Sequence, residues 1–417
     1  MITRLPPNRE PDSCSLATCP ADLCSAGVGA TIVRFSMPPR THTRFCFVLL
    51  TFGLLAPLRA QAWPQSASTY GPLPVFELHS GFWINLHHTL YNEARLRKNL
   101  ASPDKVGKTS GPELKTSPDA KRAFTAAEQK AWEEVVSYYA LNFADKDLLF
   151  SSELVQLKNQ LSDFEDCDEL SGKTKKFCDA GLPPKLAQAL EAAAPVYRAQ
   201  LWPEHDRANR RWILRVAPLV IEQGVGLSER LADIYQTRWP RQKIRVDVTA
   251  YANWAGAYTT LDPLRVTISS LDPRNQGAEA LEVLFHEASH GIAEPVQDAI
   301  IRECRQRDKA IPRDLWHALI FYTTGEVLRP VLASSDATPG GKLDLRSPTS
   351  TSGSSATGSR ENSPGTSAAG YTPYALREGL YQRGWKNYLD ALQRFWQPYL
   401  DGRATFSDAI ARMVSSL

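Results

Sequence analysis

The stretch Val283-Leu284-Phe285-His286-Glu287-Ala288-Ser289-His290-Gly291-Ile292 decides how this chain reads. The apolar spacing of Leu281, Leu284, Phe285, Ala288 and Ile292 predicts a mostly buried helix from about Ala278 to Ala293. Positions i and i+4 share one helix face, so His286 and His290 can bring two imidazoles to a single ion. Glu287, one step round, leans over the same ion, where a carboxylate takes a proton from bound water. Two histidines and a glutamate inside a buried helix need partners, because unpaired polar burial is costly. The competing reading is an ordinary amphipathic helix whose histidines are core or surface residues.

Upstream of this helix, Lys243–Thr249 alternates with period two and predicts a half-buried strand. Ala257–Thr260 and Leu264–Ile268 predict two more, so a small sheet leads directly into the His286 helix. The region before the sheet is helical in pattern, over roughly 148–164, 184–200, 205–223 and 227–237. The Gly224/Gly226 pair is expected to separate the last two. Thr125-Ala126-Ala127-Glu128 is a capping box that opens another helix through Trp132 and Tyr139. Phe76–Leu100 is aromatic-rich and holds His79, His87 and His88. Adjacent histidines face different ways, so this segment reads as packing, with a substrate cleft as the alternative. His205 reads as a capping or surface residue. Downstream, Asp314–Arg329 predicts a helix with an apolar centre, and a final helix begins near Ser407.

The N-terminal part is set apart by composition. Residues 37–62 carry Arg40 and Arg44, an apolar run from Phe45 to Leu58, and Ala60-Gln61-Ala62 as a small-x-small site. That pattern is a secretory signal cleaved after Ala62, and its apolar run is short for a membrane span. Residues 1–36 upstream read as a mis-assigned extension. Removing the six arginines and three acidic residues of this leader takes the formal charge from +3 to zero. A neutral mature chain offers no electrostatic case for nucleic acid. Export makes a Cys167–Cys178 disulfide plausible, with Cys304 a buried thiol. Residues 334–370 are dominated by Ser, Thr, Gly and Pro and read as a disordered insertion. The organisation is thus a mainly helical region at 63–240, a metal-binding core at 241–333, that insertion, and a helical region at 371–417.

The HExxH motif with its hydrophobic flanks resembles the extended signature of the zincin metallopeptidases, over about ten residues. The resemblance is to the gluzincin-like, exported bacterial type, and no narrower family emerges. It implies Zn2+ held by His286 and His290, Glu287 as general base, and a peptide or protein substrate. In that fold an edge strand before the helix pairs with extended substrate; here Gly256-Ala257-Tyr258 is the stretch in that place. A catalytic zinc needs a third protein ligand, which gluzincins take from a Glu on a later helix. Glu326 is the expected ligand, because Gly325 beside it permits close approach. His317 is the alternative, half a helical turn away in projection, with Glu294, Asp298 and Glu303 behind it. Tyr322, Tyr371, Tyr374 and Tyr258 are candidates for transition-state or substrate contacts. The expected fold is α+β, mostly helical, with a small mixed sheet leading into the HExxH helix. Rival functions are a non-catalytic exported protein with a structural zinc, and a zinc amidase acting on a cell-envelope polymer.

Overall fold

A four-stranded sheet divides the molecule, and its two faces are chemically unlike. The computed structural model describes residues 74–101, 124–335 and 371–417. All of these belong to one compact unit, Ser66–Leu417. The stretches read from sequence as an upstream extension, a signal segment and, beyond Ser335, an insertion lie outside the described residues.

Strand β1 is Phe76–His79, β2 Ile244–Thr249, β3 Ala257–Leu261 and β4 Leu264–Ser269. Their order is β1-β2-β4-β3, with β1–β2 and β2–β4 parallel and β3–β4 antiparallel. The predicted strands are present within a residue or so of their expected bounds. β1 is an addition, hidden because its four residues adjoin an aromatic-rich helix.

Period-two alternation assigns each strand residue to a face. Phe76, Ile244, Val246, Val248, Ala257, Val266 and Ile268 join one apolar core. Against that core pack α5 (Trp202–Ile234), α6 (Gly277–Ser289), α7 (Glu294–Gln306) and α8 (Leu315–Ser335). The C-terminal segment adds α9 (Tyr374–Arg377), α10 (Leu380–Arg383), α11 (Tyr388–Ala391), α12 (Gln397–Leu400) and α13 (Phe406–Ser416). Phe285 of α6 is fully buried edge-on to Phe76 of β1, which seats the metal-motif helix on the sheet. Full burial of such a side chain contributes about 1.5–3 kcal/mol.

The other face is polar yet closed. It presents His79, Arg245, Asp247, Tyr258, Thr260, Arg265 and Thr267 towards α1 (Phe82–Ala101) and α3 (Ser152–Asp163). The buried Asp247 carboxylate accepts from Arg245 Nε at 2.8 Å and from Ser162 at 2.9 Å. Lys158, wholly buried, donates to Thr260 at 2.7 Å. A second core of α1, α2 (Ala126–Asn142), α3 and α4 (Pro184–Gln200) lies on this side. The capping box at Thr125 and Glu128 is formed, and α4 has its expected bounds. The protein is therefore α+β and mostly helical, with a small mixed sheet.

Two local expectations fail. The Gly224/Gly226 pair does not stop a helix, since α5 runs unbroken through it. A Cβ on Gly224 would come 3.1 Å from Val75 Cγ2, so this glycine serves close packing against the chain entering β1. His205 is buried rather than a surface cap, and its Nδ1 lies 2.9 Å from the Tyr197 hydroxyl. The Cys167–Cys178 disulfide is formed, and Cys304 is a free buried thiol. No helix among the described residues is long and apolar enough to cross a membrane.

Candidate metal centre

Helix α6 carries His286 and Glu287, and His290 caps its C-terminal end. Every residue from Ala280 to Ser289 is buried, as the apolar stripe requires. Helix α8 crosses α6 and supplies His317 from its first turn. The ligand atoms of His286, His290 and His317 all lie within 4.8 Å of one another. Their ring centroids form a nearly equilateral triangle with sides of 5.1, 5.2 and 5.0 Å.

His286 Nε2 and His317 Nε2 lie 3.3 Å apart. Two nitrogens bound to one tetrahedral zinc at about 2.0–2.1 Å would themselves be about 3.3–3.4 Å apart, so this edge has the right length. His286 Nδ1 is buried with no hydrogen-bond partner. The polar neighbours of this ring are the His290 and His317 imidazoles, which is a poor arrangement unless a cation joins them. Burial pushes the His286 pKa well below its ordinary 6.5, with repulsion from His290 and His317 adding to it. Burial likewise takes His290 to about 3 and His317 to about 4. All three rings are therefore neutral near pH 7, the form that binds metal. These residues form a buried three-histidine cluster fitted to hold a metal ion.

Aromatic side chains fix the rings. Phe321 stacks on His286 with centroids 3.4 Å apart, and Tyr374 stacks on Phe321 at 5.7 Å. Trp316 meets His290 and Trp385 meets His317, each at 5.4 Å and steeply inclined. Glu287 lies beside the cluster, with Oε2 4.0 Å from His290 Nε2. Burial raises its carboxyl pKa to about 7, against a lowering hydrogen bond from Thr259. The His290 and Glu287 side chains retain 20% and 11% of their exposure, so the cluster is open to solvent on that side.

The third position of the cluster belongs to His317, where Glu326 was the expected ligand. Nine residues along α8 turn Glu326 to the opposite face, where it pairs with Arg329. Gly325 does permit a close approach, but of another kind. A Cβ there would sit 2.6 Å from Pro373 and 3.0 Å from the Glu282 carboxylate. Glu294, Asp298 and Glu303 lie on α7, outside the cluster, and Glu303 pairs with Arg307.

Of the tyrosines named from sequence, Tyr374 stands behind Phe321 at the cluster, and the other three are engaged elsewhere. Tyr322 donates to Gln397 at 2.7 Å, and Tyr371 donates to Glu282. Tyr258 lies on the polar face of β3, where its hydroxyl meets His88 Nε2 at 2.9 Å. Its neighbour Thr259 takes the face towards α6 and contacts Glu287, a residue that sequence reasoning passed over. The signal was present, because alternation sends Thr259 wherever Tyr258 does not go. His87 and His88 are core residues of α1.

Comparison with known protein families, curated proteins and solved structures finds no match for this chain.

Proposed function

We propose that the mature chain is an exported zinc-dependent hydrolase that cleaves peptide bonds. The observation that carries this reading is the three-histidine cluster with a single buried carboxylate, Glu287, at its solvent-facing side. His286, His290 and His317 would hold the ion. Zinc bound there would supply a Lewis acid that polarises a carbonyl and acidifies water. Glu287 takes a proton from the water as its oxygen bonds to the carbonyl carbon. It then passes that proton to the amine nitrogen as the carbon–nitrogen bond breaks, which regenerates the carboxylate. The aromatic cage of Trp316, Phe321 and Trp385 keeps the rings in place and limits water around them.

Three protein ligands with one open side suit a catalytic site better than a closed structural one. The formed Cys167–Cys178 disulfide supports an oxidising, extracytoplasmic destination for a chain cleaved after Ala62. N-terminal sequencing of exported material should then begin at Trp63.

The decisive experiment pairs metal analysis with peptide-library hydrolysis for wild type and Glu287→Gln. Both proteins should contain one zinc per chain, and the variant should lose at least about a hundredfold in kcat. Bound zinc with undiminished hydrolysis in Glu287→Gln would end the reading. Cleavage of envelope polymers with no cleavage of peptides would move the substrate to a different amide.

A further inference from the structure

Thr259 stands on β3 directly beneath Glu287. Its backbone is fixed opposite Val266 in the β3–β4 ladder, and the residue is buried. Its hydroxyl oxygen lies 2.7 Å from Glu287 Oε2 and 2.8 Å from the Glu287 backbone carbonyl oxygen. A threonine hydroxyl has one proton to give and two lone pairs with which to accept, whereas a carbonyl oxygen only accepts. Both acceptors belong to Glu287, so this one hydroxyl ties the side chain and the backbone of the same residue to β3.

β-Branching restricts rotation about χ1, so the hydroxyl oxygen stays in place. We propose that Thr259 is a positioning residue for Glu287, its hydroxyl holding Oε2 at the metal cluster. This rests on the reading of Glu287 as the base. The aliphatic contacts around Thr259 are preserved by valine, so the hydroxyl can be tested separately from the packing.

The test compares Thr259→Val, Thr259→Ser and Glu287→Gln with the double variant Thr259→Val/Glu287→Gln. Thr259→Ala serves as a second hydroxyl-free form should valine fold poorly. Loss of a hydrogen bond to a charged group predicts a fall of about tenfold to a hundredfold in kcat for Thr259→Val. KM should stay within about twofold, since the interaction serves the reacting carboxyl and not substrate binding. Zinc content should stay at one per chain. Thr259→Ser should recover activity to within about threefold, because it restores donor and acceptor. On the Glu287→Gln background, Thr259→Val should add no further loss. Crystal structures of the zinc-free variants give a readout independent of turnover. The Glu287 carboxylate should shift by about 1 Å or more in Thr259→Val, a displacement large enough to disable catalysis, and stay in place in Thr259→Ser. Wild-type kcat in Thr259→Val, or an unmoved carboxylate, overturns the proposal. Full activity in Glu287→Gln removes the base reading, while the carboxylate positions still judge whether Thr259 holds Glu287.

Discussion

Two buried groups of histidines sit on opposite faces of one sheet, and their surroundings differ. On the polar face, His88 Nδ1 lies 2.8 Å from the Ile84 carbonyl and Nε2 lies 2.9 Å from the Tyr258 hydroxyl. A carbonyl accepts only, so Nδ1 carries the proton and Nε2 accepts from the tyrosine. That ring is satisfied at both ends. Its neighbour His87 lies one residue away, about 100° round the helix, and turns to Tyr139 instead. On the apolar face, His286 and His290 are four residues apart and converge, and His317 meets them from α8. Burial depresses the pKa of both groups, His88 to about 4 and His290 to about 3. Burial and a low pKa thus do not distinguish a metal site from a core histidine. The surroundings of the ring nitrogens do: both nitrogens of His88 meet a fixed donor or acceptor, whereas the three rings of the cluster turn ligand atoms towards each other.

The sharpest way to break this contrast is to remove one ring from each group and titrate metal. His317→Ala should lower zinc affinity by more than the roughly 10–100-fold that follows loss of an outer partner, because it removes a ligand itself. Glu326→Ala should leave affinity unchanged, since that carboxylate pairs with Arg329 on the far face of α8. His88→Leu should also leave it unchanged. Competition with a chelating dye measures all three. Retained affinity in His317→Ala together with loss in Glu326→Ala would return the third position to the glutamate.

How much of this was legible in the sequence depends on the range of the interactions involved. Period-two alternation and HExxH spacing are local, so β2, β3, β4 and the inward face of α6 followed from neighbouring residues. The capping box and the disulfide were equally readable, the latter once the leader had been set aside. The third member of the cluster was not, because it depends on how α8 crosses α6. The spacing of His317 and Glu326 showed that they face apart, but not which of them faces α6. Glycine misled twice for the same reason. Gly224 and Gly325 make room for Val75 and Pro373, partners about 150 and 50 residues distant in the chain, and such contacts leave no local trace. Thr259 is a different omission. Alternation places it on the α6 face, but a threonine side chain is neither a usual metal ligand nor a general base, so nothing in its chemistry marks it out.

On the satisfied side of the contrast the expected effects are on stability. His88→Leu leaves the Tyr258 hydroxyl without its buried acceptor, while the Ile84 carbonyl keeps its intrahelical N–H donor. Such loss costs about 1–3 kcal/mol. Urea unfolding at pH 7 measures it, and a change below a few tenths of a kcal/mol would show that the pair of contacts contributes little. Metal content provides the internal control, because this ring lies across the sheet from the cluster.

The smallest effect concerns pH and sharpens the same point. Burial holds His88 neutral in the folded protein, taking its pKa to about 4 from 6.5, helped by repulsion from Lys158 and opposed by the Ile84 carbonyl and Asp247. A depressed folded pKa means that the unfolded chain binds the extra proton first. The contribution is therefore complete above pH 6.5 and is lost as pH falls towards 4. From pH 7 to 5.5 the loss depends almost wholly on the unfolded value, and amounts to about 1 kcal/mol. Lys158, lowered to about 8 by burial, remains mostly charged in both states over that interval, so it adds little to the slope. The gap in unfolding free energy between wild type and His88→Leu should accordingly narrow by about 1 kcal/mol between those two pH values. Parallel pH profiles for the two proteins would mean that His88 takes up its proton without unfolding, and that its hydrogen bonds do not hold it neutral.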